Sequence, residues 1–253
     1  MAKIYTITSG KGGTGKTSTA VNLGAAINKF REDVVIVDAN LTTPNIGLHF
    51  GAPIVPVNLN HVLQGDADIS EAIYEHESGT KIIPSSLSLN DLKKIKAKSM
   101  IDISKKLKAL STHIIFDSAA GLGEEAKLAL KPADEVIVVT NPNILSVTDA
   151  LKTIKLAEDM GKQIRGVIIT RVQGNKHEMS ISNIKEMLEV PILGIVPEDK
   201  AVLESLVKKD AVIHTKPNSK AAIAYRDIAA KLLGKRRMPE SFFDRILSGL
   251  GLR

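Results

Sequence analysis

Ten residues near the N-terminus constrain the fold more than any other stretch of the chain. Residues 9–18 read Ser-Gly-Lys-Gly-Gly-Thr-Gly-Lys-Thr-Ser, so Gly10, Gly15, Lys16 and Thr17 fit the phosphate-binding pattern G-x-x-x-x-G-K-[ST] at its required spacing. Residues 3–8 before the loop are rich in β-formers, and the apolar residues after it recur at helical spacing. A strand, a glycine-rich loop and a helix in this order predict a nucleotide-binding α/β domain.

The predicted phosphate contacts follow from backbone and side-chain chemistry. Glycines let the loop curl its N–H groups around a polyphosphate, and the helix that follows offers its positive N-terminal end. Lys16 is predicted to reach the β- and γ-phosphates, and the Thr17 hydroxyl is predicted to ligate Mg²⁺. The remaining predicted contacts in this loop are Gly10, Gly12, Gly13, Thr14, Gly15 and Ser18.

Composition narrows the class of protein. The 253 residues, 43% hydrophobic and 25% charged, allow one large globular α/β domain. The absence of cysteine excludes disulfides, zinc–thiolate sites and Cys-ligated iron–sulfur clusters. No signal peptide and no membrane-spanning apolar run are evident, so we expect a cytoplasmic protein. A net charge of +6 and a pI near 9.3 favour anionic partners: nucleotide, nucleic acid or acidic lipid.

Apolar runs with little alternation predict strands buried on both faces of a parallel sheet. They lie at residues 33–38, 81–84, 113–117, 135–140, 164–170 and 192–196. Helical patterns lie between them, at 146–160 and 181–188 for example, and they predict a doubly wound, mostly parallel sheet with helices on both faces. Further helices are predicted at 59–63, at 69–74, at 91–110 with a break near Ser99, and at 219–233.

Two of these apolar runs end in aspartate, Asp38 and Asp117. A carboxylate after four apolar residues is unfavourable unless it has a polar role, and ligands bind at the carboxyl ends of such strands. Beside a phosphate loop that role is to hold Mg²⁺ or its waters and to orient the attacking water. The other interpretation is a helix N-cap or a turn aspartate.

Lys11 adds a second signal, because a phosphate loop does not need a lysine directly after its first glycine. The pattern K-G-G-x-G-K-[ST] resembles the deviant Walker A ATPases of the MinD/ParA family. The resemblance implies a homodimer in the ATP state, in which Lys11 reaches the partner's nucleotide. Residues 117–121 resemble the family's second switch, D-x-x-A-G, which implies that Asp117 sits in the Mg²⁺ shell and that the Gly121 amide senses the γ-phosphate.

Residues 38–47 resemble the family's first switch with one departure. MinD-like proteins usually carry a second carboxylate, which helps to position the attacking water, where this chain has Asn40. An asparagine can donate and accept hydrogen bonds but cannot act as a base. We therefore expect Mg²⁺-dependent ATP hydrolysis that is slow, with nucleotide binding intact. The predicted catalytic set is Lys11, Lys16, Asp38, Asn40 and Asp117, and the predicted metal set is Thr17, Asp38 and Asp117, partly through water.

Two strand ends are similar to the family's adenine-side loops. Thr170 and Arg171 follow one strand, and Val-Pro-Glu-Asp at 196–199 matches the family's V-P-x-D pattern, so Pro197, Glu198 and Asp199 join the predicted ATP contacts. An ordinary strand-to-helix turn is the alternative at each place. The guanine signature N-K-x-D is absent, which favours ATP over GTP.

The composition shifts after Gly234, which divides the chain into an ATPase domain, 1–234, and a basic linker and tail, 235–253. On a helical wheel of the tail one arc is apolar, and the basic residues flank it. The apolar arc is Phe242, Phe243, Ile246, Leu247 and Leu250, and the basic residues are Arg236, Arg237 and Arg245.

Such a segment suits an interfacial helix on an anionic bilayer, and MinD proteins end in a similar targeting helix. A dimer presents two copies, so ATP-dependent dimerisation is expected to switch a peripheral, reversible membrane attachment on. The alternative is a tail that packs on its own domain or on a protein partner.

The sequence thus predicts a MinD-like ATPase that cycles on the membrane to position a cellular structure, the cell-division site being the family's example. The regulator or cargo protein stays open. One alternative is a ParA-like DNA-partition ATPase that binds DNA nonspecifically. Another is a nucleotide-gated scaffold with little hydrolysis.

Overall fold

One mixed sheet organises the computed structural model, which describes residues 2–88 and 97–236, without the side chains of 97–99. Within these residues eight strands lie in the order β3-β4-β2-β5-β1-β6-β7-β8. All neighbouring pairs are parallel except β3 with β4. The strands are Lys3–Ser9 (β1), Val34–Ala39 (β2), Tyr74–Glu75 (β3), Lys81–Ile83 (β4), His113–Ala120 (β5), Glu135–Thr140 (β6), Gln163–Val172 (β7) and Ile192–Pro197 (β8).

Helices cover both faces of the sheet, and a 3-10 helix spans Ile69–Ala72. The α-helices are Lys16–Lys29 (α1), Ile46–His49 (α2), Leu59–Gln64 (α3), Ala97–Leu110 (α4), Glu124–Leu130 (α5), Ile144–Asp159 (α6), Ile181–Leu188 (α7), Lys200–Val207 (α8), Val212–Thr215 (α9) and Lys220–Leu233 (α10). One core joins α1, α9 and α10 to the first face. Two further cores join α3 and α4, and α6 and α7, to the opposite face. The predicted doubly wound α/β architecture is confirmed.

The predicted continuous apolar runs are buried on both faces. Every residue of β2 and of β6 is buried, because helices cover both sides of the sheet centre. Burial of this apolar area stabilises the fold by about 25 cal/mol per Å² removed from water. The two central strands β1 and β5 therefore carry their C-terminal polar residues on a rigid base.

The sequence-based prediction was wrong at one place in the segment 69–110. The predicted helix at 69–74 is a 3-10 turn only as far as Ala72, and Tyr74 pairs antiparallel with Ile82 instead. The Tyr74 hydroxyl donates to the Val57 carbonyl at 2.8 Å, which ties this edge strand to the preceding loop. Within the described residues, α4 runs without a break from Ala97 through Ser99 to Leu110. Residues 91–96 lie outside the described residues.

The two aspartates do not close their strands as predicted. Strand β2 continues one residue beyond Asp38 to Ala39, and β5 continues three residues beyond Asp117 to Ala120. The register of these neighbouring parallel strands pairs Asp38 directly with Asp117. The two carboxylates therefore lie side by side on one face of the sheet, at the usual strand spacing of about 4.8 Å.

The last described helix ends where the sequence predicts. Gly234 adopts the left-handed conformation, with φ of 63°, and caps α10. The basic linker is described as far as the exposed Arg236. The other predicted membrane contacts, Arg237, Phe242, Phe243, Arg245, Ile246, Leu247 and Leu250, lie outside the described residues. Among the described helices, none has the length and hydropathy that a bilayer crossing requires.

Candidate nucleotide-binding site

The glycine-rich loop connects β1 to α1 and forms a phosphate-sized cradle. Gly13 and Gly15 have φ of 78° and 91°, a backbone region that other L-residues rarely adopt. Gly15 is the N-cap of α1 and has no side chain to occupy the free amides of the first turn. Those amides and the helix dipole therefore favour an anion at this point.

A cavity of about 330 Å³ lies at this cradle, here called the phosphate pocket. It brings together the loop and both switch segments, as the sequence predicts for most of these residues. Its lining consists of Gly12, Gly13, Gly15, Lys16, Thr17, Ser18, Asn40, Thr43, Asn45, His49, Ala120 and Arg171.

Lys16 is held almost without solvent contact at the start of α1. Its residue is 8% exposed. Burial lowers the pKa of the Lys16 ammonium, and the neighbouring Asp117 carboxylate acts in the opposite direction. A buried cation beside the glycine loop is poorly compensated by solvent, so a bound phosphate would gain more from it than from a surface lysine.

Asp117 is a buried carboxylate without an adequate partner. Its residue has no solvent exposure, and neither carboxylate oxygen accepts a well-formed hydrogen bond from any described residue. Burial raises the pKa of this carboxyl, while the nearby Thr17 hydroxyl and Lys16 ammonium act to lower it. A group in this position is unfavourable for the folded protein unless something else binds it.

A divalent cation satisfies that requirement. Hard cations such as Mg²⁺ take oxygen ligands, and Thr17 and Asp117 offer a hydroxyl and a free carboxylate beside the phosphate pocket. The unpartnered oxygens of Asp117 therefore fit the predicted Mg²⁺. Asp38 is the neighbour of Asp117 in the sheet and belongs to a second layer around that position.

The carboxylate of Asp38 holds the first switch segment, residues 38–47. It accepts hydrogen bonds from the backbone N–H groups of Asn45 at 2.8 Å, Ile46 at 2.9 Å and Asn40 at 3.3 Å. Burial and the adjacent Asp117 raise the pKa of Asp38, and these three amide donors oppose the increase. The turn at the start of α2 thus depends on one buried carboxylate.

Asn40 uses its side chain as a latch within the same segment. Its Nδ2 donates to the Thr43 carbonyl at 2.6 Å, and its Oδ1 accepts from the Thr43 hydroxyl at 3.1 Å and from the Thr43 N–H at 3.3 Å. A carboxylate could not donate the first of these bonds. Asparagine at position 40 therefore ties residues 40–43 together, and it also removes a possible base.

Gly121 and Lys11, two residues taken from the family resemblance, lie on opposite sides of the expectation. The Gly121 amide, expected to sense the γ-phosphate, donates to the Ser9 carbonyl at 2.9 Å, and Ala120 lines the phosphate pocket. Lys11 is exposed, as a residue that reaches towards a second subunit must be. Gly10 and Thr14 complete the loop, and the Thr14 hydroxyl donates to the Lys11 carbonyl at 3.4 Å.

A smaller cavity of about 90 Å³ adjoins the phosphate pocket and shares Gly15, Ser18 and Arg171 with it. It holds the five residues predicted for the adenine side, here called the adenine-side pocket. Besides the three residues shared with the phosphate pocket, its lining consists of Thr170, Val196, Pro197, Glu198, Asp199, Val202, Leu203 and Tyr225.

Two of the predicted adenine-side residues have their polar atoms bound elsewhere. The Thr170 hydroxyl donates to the Thr14 carbonyl at 2.6 Å and accepts from Asn141 at 2.9 Å. The Asp199 carboxylate accepts from the amides of Ala201 and Ala221, at 2.9 and 3.0 Å, and so joins the starts of α8 and α10. Pro197, Glu198 and Arg171 keep the freer positions in this pocket.

Sequence reasoning missed three residues at this site. His49 lines the phosphate pocket, and burial lowers its pKa to about 4, so it is neutral at physiological pH. Asn141 links Thr170 to the glycine loop, a contact that the Asn-Pro sequence around it did not predict. Glu125 accepts from both the N–H and the hydroxyl of Thr42 at 2.7 Å, which joins α5 to the first switch segment. Neither His49 nor Glu125 had a sequence signal.

Comparisons with known proteins agree with this geometry. The model of the CobQ/CobB/MinD/ParA nucleotide binding domain matches residues 5–212. An uncharacterized ATP-binding protein of Methanocaldococcus jannaschii is 39% identical over 256 residues, covering 99% of this chain and 97% of that protein. The septum site-determining protein MinD of Neisseria meningitidis serogroup B is 34% identical, covering 98% of this chain and 100% of that protein.

A solved structure is similar over nearly the same length. The septum site-determining protein MinD of Pyrococcus horikoshii OT3, complexed with Mg-ADP, aligns with a TM-score of 0.88 and 31% identity. The alignment covers 95% of this chain and 100% of that one. The predicted resemblance is thereby confirmed on both sequence and fold. This chain belongs to the MinD/ParA family of P-loop nucleotide-binding proteins, as a MinD-like member.

Proposed function

We propose that this protein is a Mg²⁺-dependent ATPase whose ATP-bound dimer cycles on the membrane to position a cellular structure, the cell-division site. The observation that carries the ATPase assignment is the unpartnered, buried Asp117 carboxylate beside Thr17 and Lys16 at the glycine loop. The MinD relatives are septum site-determining proteins, which supports the positional part. The basic, amphipathic tail supports the membrane part.

In this proposal the chain binds and orients ATP through groups already in place. The amides of Gly12, Gly13, Thr14 and Gly15 surround the phosphates, and Lys16 compensates the charge that develops as the γ-phosphate leaves. Thr17 and Asp117, with Asp38 behind them, would hold Mg²⁺, which would further neutralise the charge of the β- and γ-phosphates. Pro197, Glu198 and Arg171 contact the adenine side of the nucleotide. Attack of water on the γ-phosphate gives ADP and free phosphate.

The proposed cycle also needs an ATP-bound homodimer and a regulator or cargo protein. Lys11 is exposed and within the loop, so it can reach a nucleotide held by a second subunit facing this one. Hydrolysis would remove the γ-phosphate from that interface and separate the subunits. A regulator or cargo protein is then needed to determine where and when this happens.

Asn40 is expected to keep hydrolysis slow. In Asn40→Asp the Nδ2 donor is lost, and a carboxylate oxygen 2.6 Å from the Thr43 carbonyl is repelled, so the latch opens and a base enters the phosphate pocket. We expect turnover to rise by about tenfold, because positioned bases contribute strongly to water activation. Single-turnover phosphate release measures this rate.

The matched control is Asn40→Ala, which opens the latch without adding a carboxylate. It should hydrolyse ATP no faster than the wild type. A wild-type rate in Asn40→Asp would show that the missing carboxylate does not limit hydrolysis.

Glu125 is expected to position the first switch segment for nucleotide binding. In Glu125→Gln one of the two Thr42 bonds loses its acceptor, because an amide nitrogen cannot accept. We expect KM for ATP to rise by about threefold, the equivalent of one modest hydrogen bond, with kcat within about twofold of wild type. The control is Glu124→Gln on the same helix, and equal KM values for both variants would contradict the coupling.

The membrane proposal is tested by co-sedimentation with anionic vesicles. We expect the full-length protein to pellet with ATP more than with ADP, and a chain ending at Gly234 to stay in the supernatant in both states. If neither protein pellets and the ATP form retards DNA, the ParA-like alternative replaces the membrane proposal. If nucleotide controls pelleting without any turnover, the scaffold alternative holds.

A further inference from the structure

Two polar side chains from neighbouring strands hold the glycine loop from behind. Thr170 lies in β7, and Asn141 directly follows the last residue of β6. The sheet order β1-β6-β7 places both strand ends beside the loop that leaves β1. Thr170 is 3% exposed, and Thr14, the loop residue that it contacts, is 2% exposed. Water cannot replace a hydrogen bond at such a buried position, so each bond made there carries weight.

The Thr170 hydroxyl is the centre of this contact. It donates to the Thr14 carbonyl with an oxygen–oxygen distance of 2.6 Å, and a second acceptor, the Thr140 carbonyl, lies at 3.2 Å. Asn141 Nδ2 donates to the hydroxyl oxygen at 2.9 Å and to the Thr170 carbonyl at 3.2 Å, and it lies 3.5 Å from the Thr14 carbonyl. A hydroxyl has one hydrogen to donate, and the shorter distance favours Thr14 as its acceptor.

The Thr14 carbonyl belongs to the peptide unit that also carries the Gly15 N–H. In a trans peptide these two groups point in opposite directions within one plane. A donor that holds the carbonyl therefore turns the Gly15 N–H away from Thr170. Gly15 itself lines the phosphate pocket. Its φ of 91° is one of many conformations open to a glycine, so the residue alone does not fix the orientation of this peptide.

We propose that Thr170 and Asn141 are positioning residues for nucleotide binding, which hold the Thr14 carbonyl so that the Gly15 N–H faces the bound phosphates. The proposal rests on the proposed function, because it concerns the same nucleotide site. It assigns the Thr170 hydroxyl to the phosphate end of the nucleotide rather than to the base. Asn141 acts through Thr170, because its amide fixes the hydroxyl that holds the loop.

The packing around Gly15 supports this role. A Cβ placed on Gly15 would lie 3.7 Å from the Thr170 hydroxyl oxygen and 3.9 Å from the Thr170 Cβ, which are ordinary van der Waals distances. The Thr170 side chain therefore stands directly behind Gly15. Valine has the shape of threonine without its hydroxyl, so Thr170→Val keeps the packing and removes the hydrogen bonds.

The expected gain is preorganisation of the loop. Without a donor on the Thr14 carbonyl, the peptide between Thr14 and Gly15 can rotate, and only part of the population presents its N–H to a phosphate. Apparent affinity falls in proportion to the competent fraction. If the competent fraction drops to about one-tenth in Thr170→Val, the affinity for nucleotide falls about tenfold.

Binding of Mg-ADP to the full-length protein measures this effect at equilibrium, by displacement of a fluorescent ADP analogue. We expect Thr170→Val to bind Mg-ADP about tenfold more weakly than the wild type. Thr170→Ser keeps the hydroxyl and should recover most of the lost affinity. A residue that only fills space would show the opposite order, because valine matches the volume of threonine better than serine does.

The matched control is Thr6→Val on β1. The Thr6 hydroxyl is also buried and donates to a carbonyl, that of Ala129, at 2.8 Å. Its removal is expected to lower the stability of the protein and to leave the affinity for Mg-ADP unchanged. Thermal unfolding of each variant shows that it is folded before binding is measured.

Inosine diphosphate separates loop positioning from base reading, because it carries an oxygen in place of the amino group of adenine. If Thr170 positions the loop, Thr170→Val should weaken Mg-ADP and Mg-inosine diphosphate by the same factor. A loss confined to Mg-ADP would overturn the proposal, since Thr170 would then read the base.

A double-mutant cycle tests whether Asn141 acts through Thr170. We expect Asn141→Ala to weaken Mg-ADP binding by about threefold in the wild type, the equivalent of one modest hydrogen bond. In the Thr170→Val background the same change should have no further effect, because the bond that it supports is already absent. Additive losses would overturn the role of Asn141, and so would wild-type affinity in Asn141→Ala.

The outcomes also separate this proposal from the proposed function. If the wild type binds Mg-ADP and Thr170→Val binds it equally well, only the positioning role is overturned. If the wild type binds no nucleotide, the proposed function fails and the positioning role fails with it. A tenfold loss in Thr170→Val that serine restores supports the positioning role whether or not the protein binds membranes.

Discussion

Replacing Lys16 by glutamine is expected to reduce ATP hydrolysis by about a hundredfold or more. The ammonium is 8% exposed and lies between the glycine loop and Asp117, where solvent cannot replace it. Removing one preorganised donor from a developing oxyanion typically costs about 10²–10³ in rate, and a buried charge is worth more than a neutral donor. Glutamine keeps most of the length but has no charge.

The Lys16→Gln experiment measures phosphate release and the binding of a fluorescent ATP analogue. A suitable control is Lys105→Gln, because the Lys105 side chain is 73% exposed and pairs with Asp102 within α4. The control should retain wild-type binding and turnover. Comparable losses in both variants, or near-normal turnover in Lys16→Gln, would show that the glycine loop is not the phosphate site.

Replacing Asp117 by asparagine is expected to have opposite effects on activity and on stability. Mg²⁺-dependent hydrolysis should fall by about a thousandfold, because the charged oxygen ligand is lost. The nucleotide-free protein should instead become more stable, by about 1 kcal/mol or more, because burial destabilises the Asp117 carboxylate by more than the nearby Thr17 hydroxyl and Lys16 ammonium stabilise it. A residue with a purely structural role would not combine these two results.

The sign of the pH dependence follows from the direction of the pKa shift. Burial raises the pKa of Asp117 in the folded protein, so the folded state holds that proton more tightly than the unfolded chain. The carboxyl therefore favours folding most at low pH and loses that contribution as the pH rises through the raised value. The stability gained in Asp117→Asn should be larger at pH 8 than at pH 4.

Urea denaturation without Mg²⁺ or nucleotide at these two pH values measures the gain. The control is Asp102→Asn, at an aspartate whose side chain is 55% exposed. A second readout is the increase in Tm on adding Mg-ATP, which should be present in the wild type and absent in Asp117→Asn. Destabilisation of the nucleotide-free variant at both pH values would contradict the account of Asp117 as an unpaired ligand.

The site was predictable wherever its chemistry depends on local spacing. The loop glycines, Lys16 and Thr17 are adjacent in sequence, and a strand followed by an amphipathic helix sets their geometry. Asp38 and Asp117 were found because a carboxylate after a buried strand requires a reason. Their mutual register was beyond the sequence, since a parallel pairing shifted by one position would have turned one of them to the opposite face.

The wrong prediction at residues 69–74 also arises from contacts between residues that are distant in sequence. The pattern at 69–74 is apolar enough for a helix, but the contact of Tyr74 with Val57 and its pairing with Ile82 favour an edge strand. Tertiary contacts of this kind outweigh helix propensity, which amounts to less than about 1 kcal/mol per residue. The Gly121 amide donates to the Ser9 carbonyl in this structure, and its contact with the γ-phosphate stays a prediction.

The sequence by itself determined the family, the alternation of strands and helices and the phosphate loop. These features depend on residue type and short-range periodicity, which the chain carries locally. Only the tertiary structure decided that the Asp117 oxygens accept no well-formed hydrogen bond from the described residues, that the Asn40 side chain binds Thr43 and that Glu125 reaches the first switch segment. Each of these is a relation between side chains whose positions depend on the packing of the folded chain, and no local pattern specifies it.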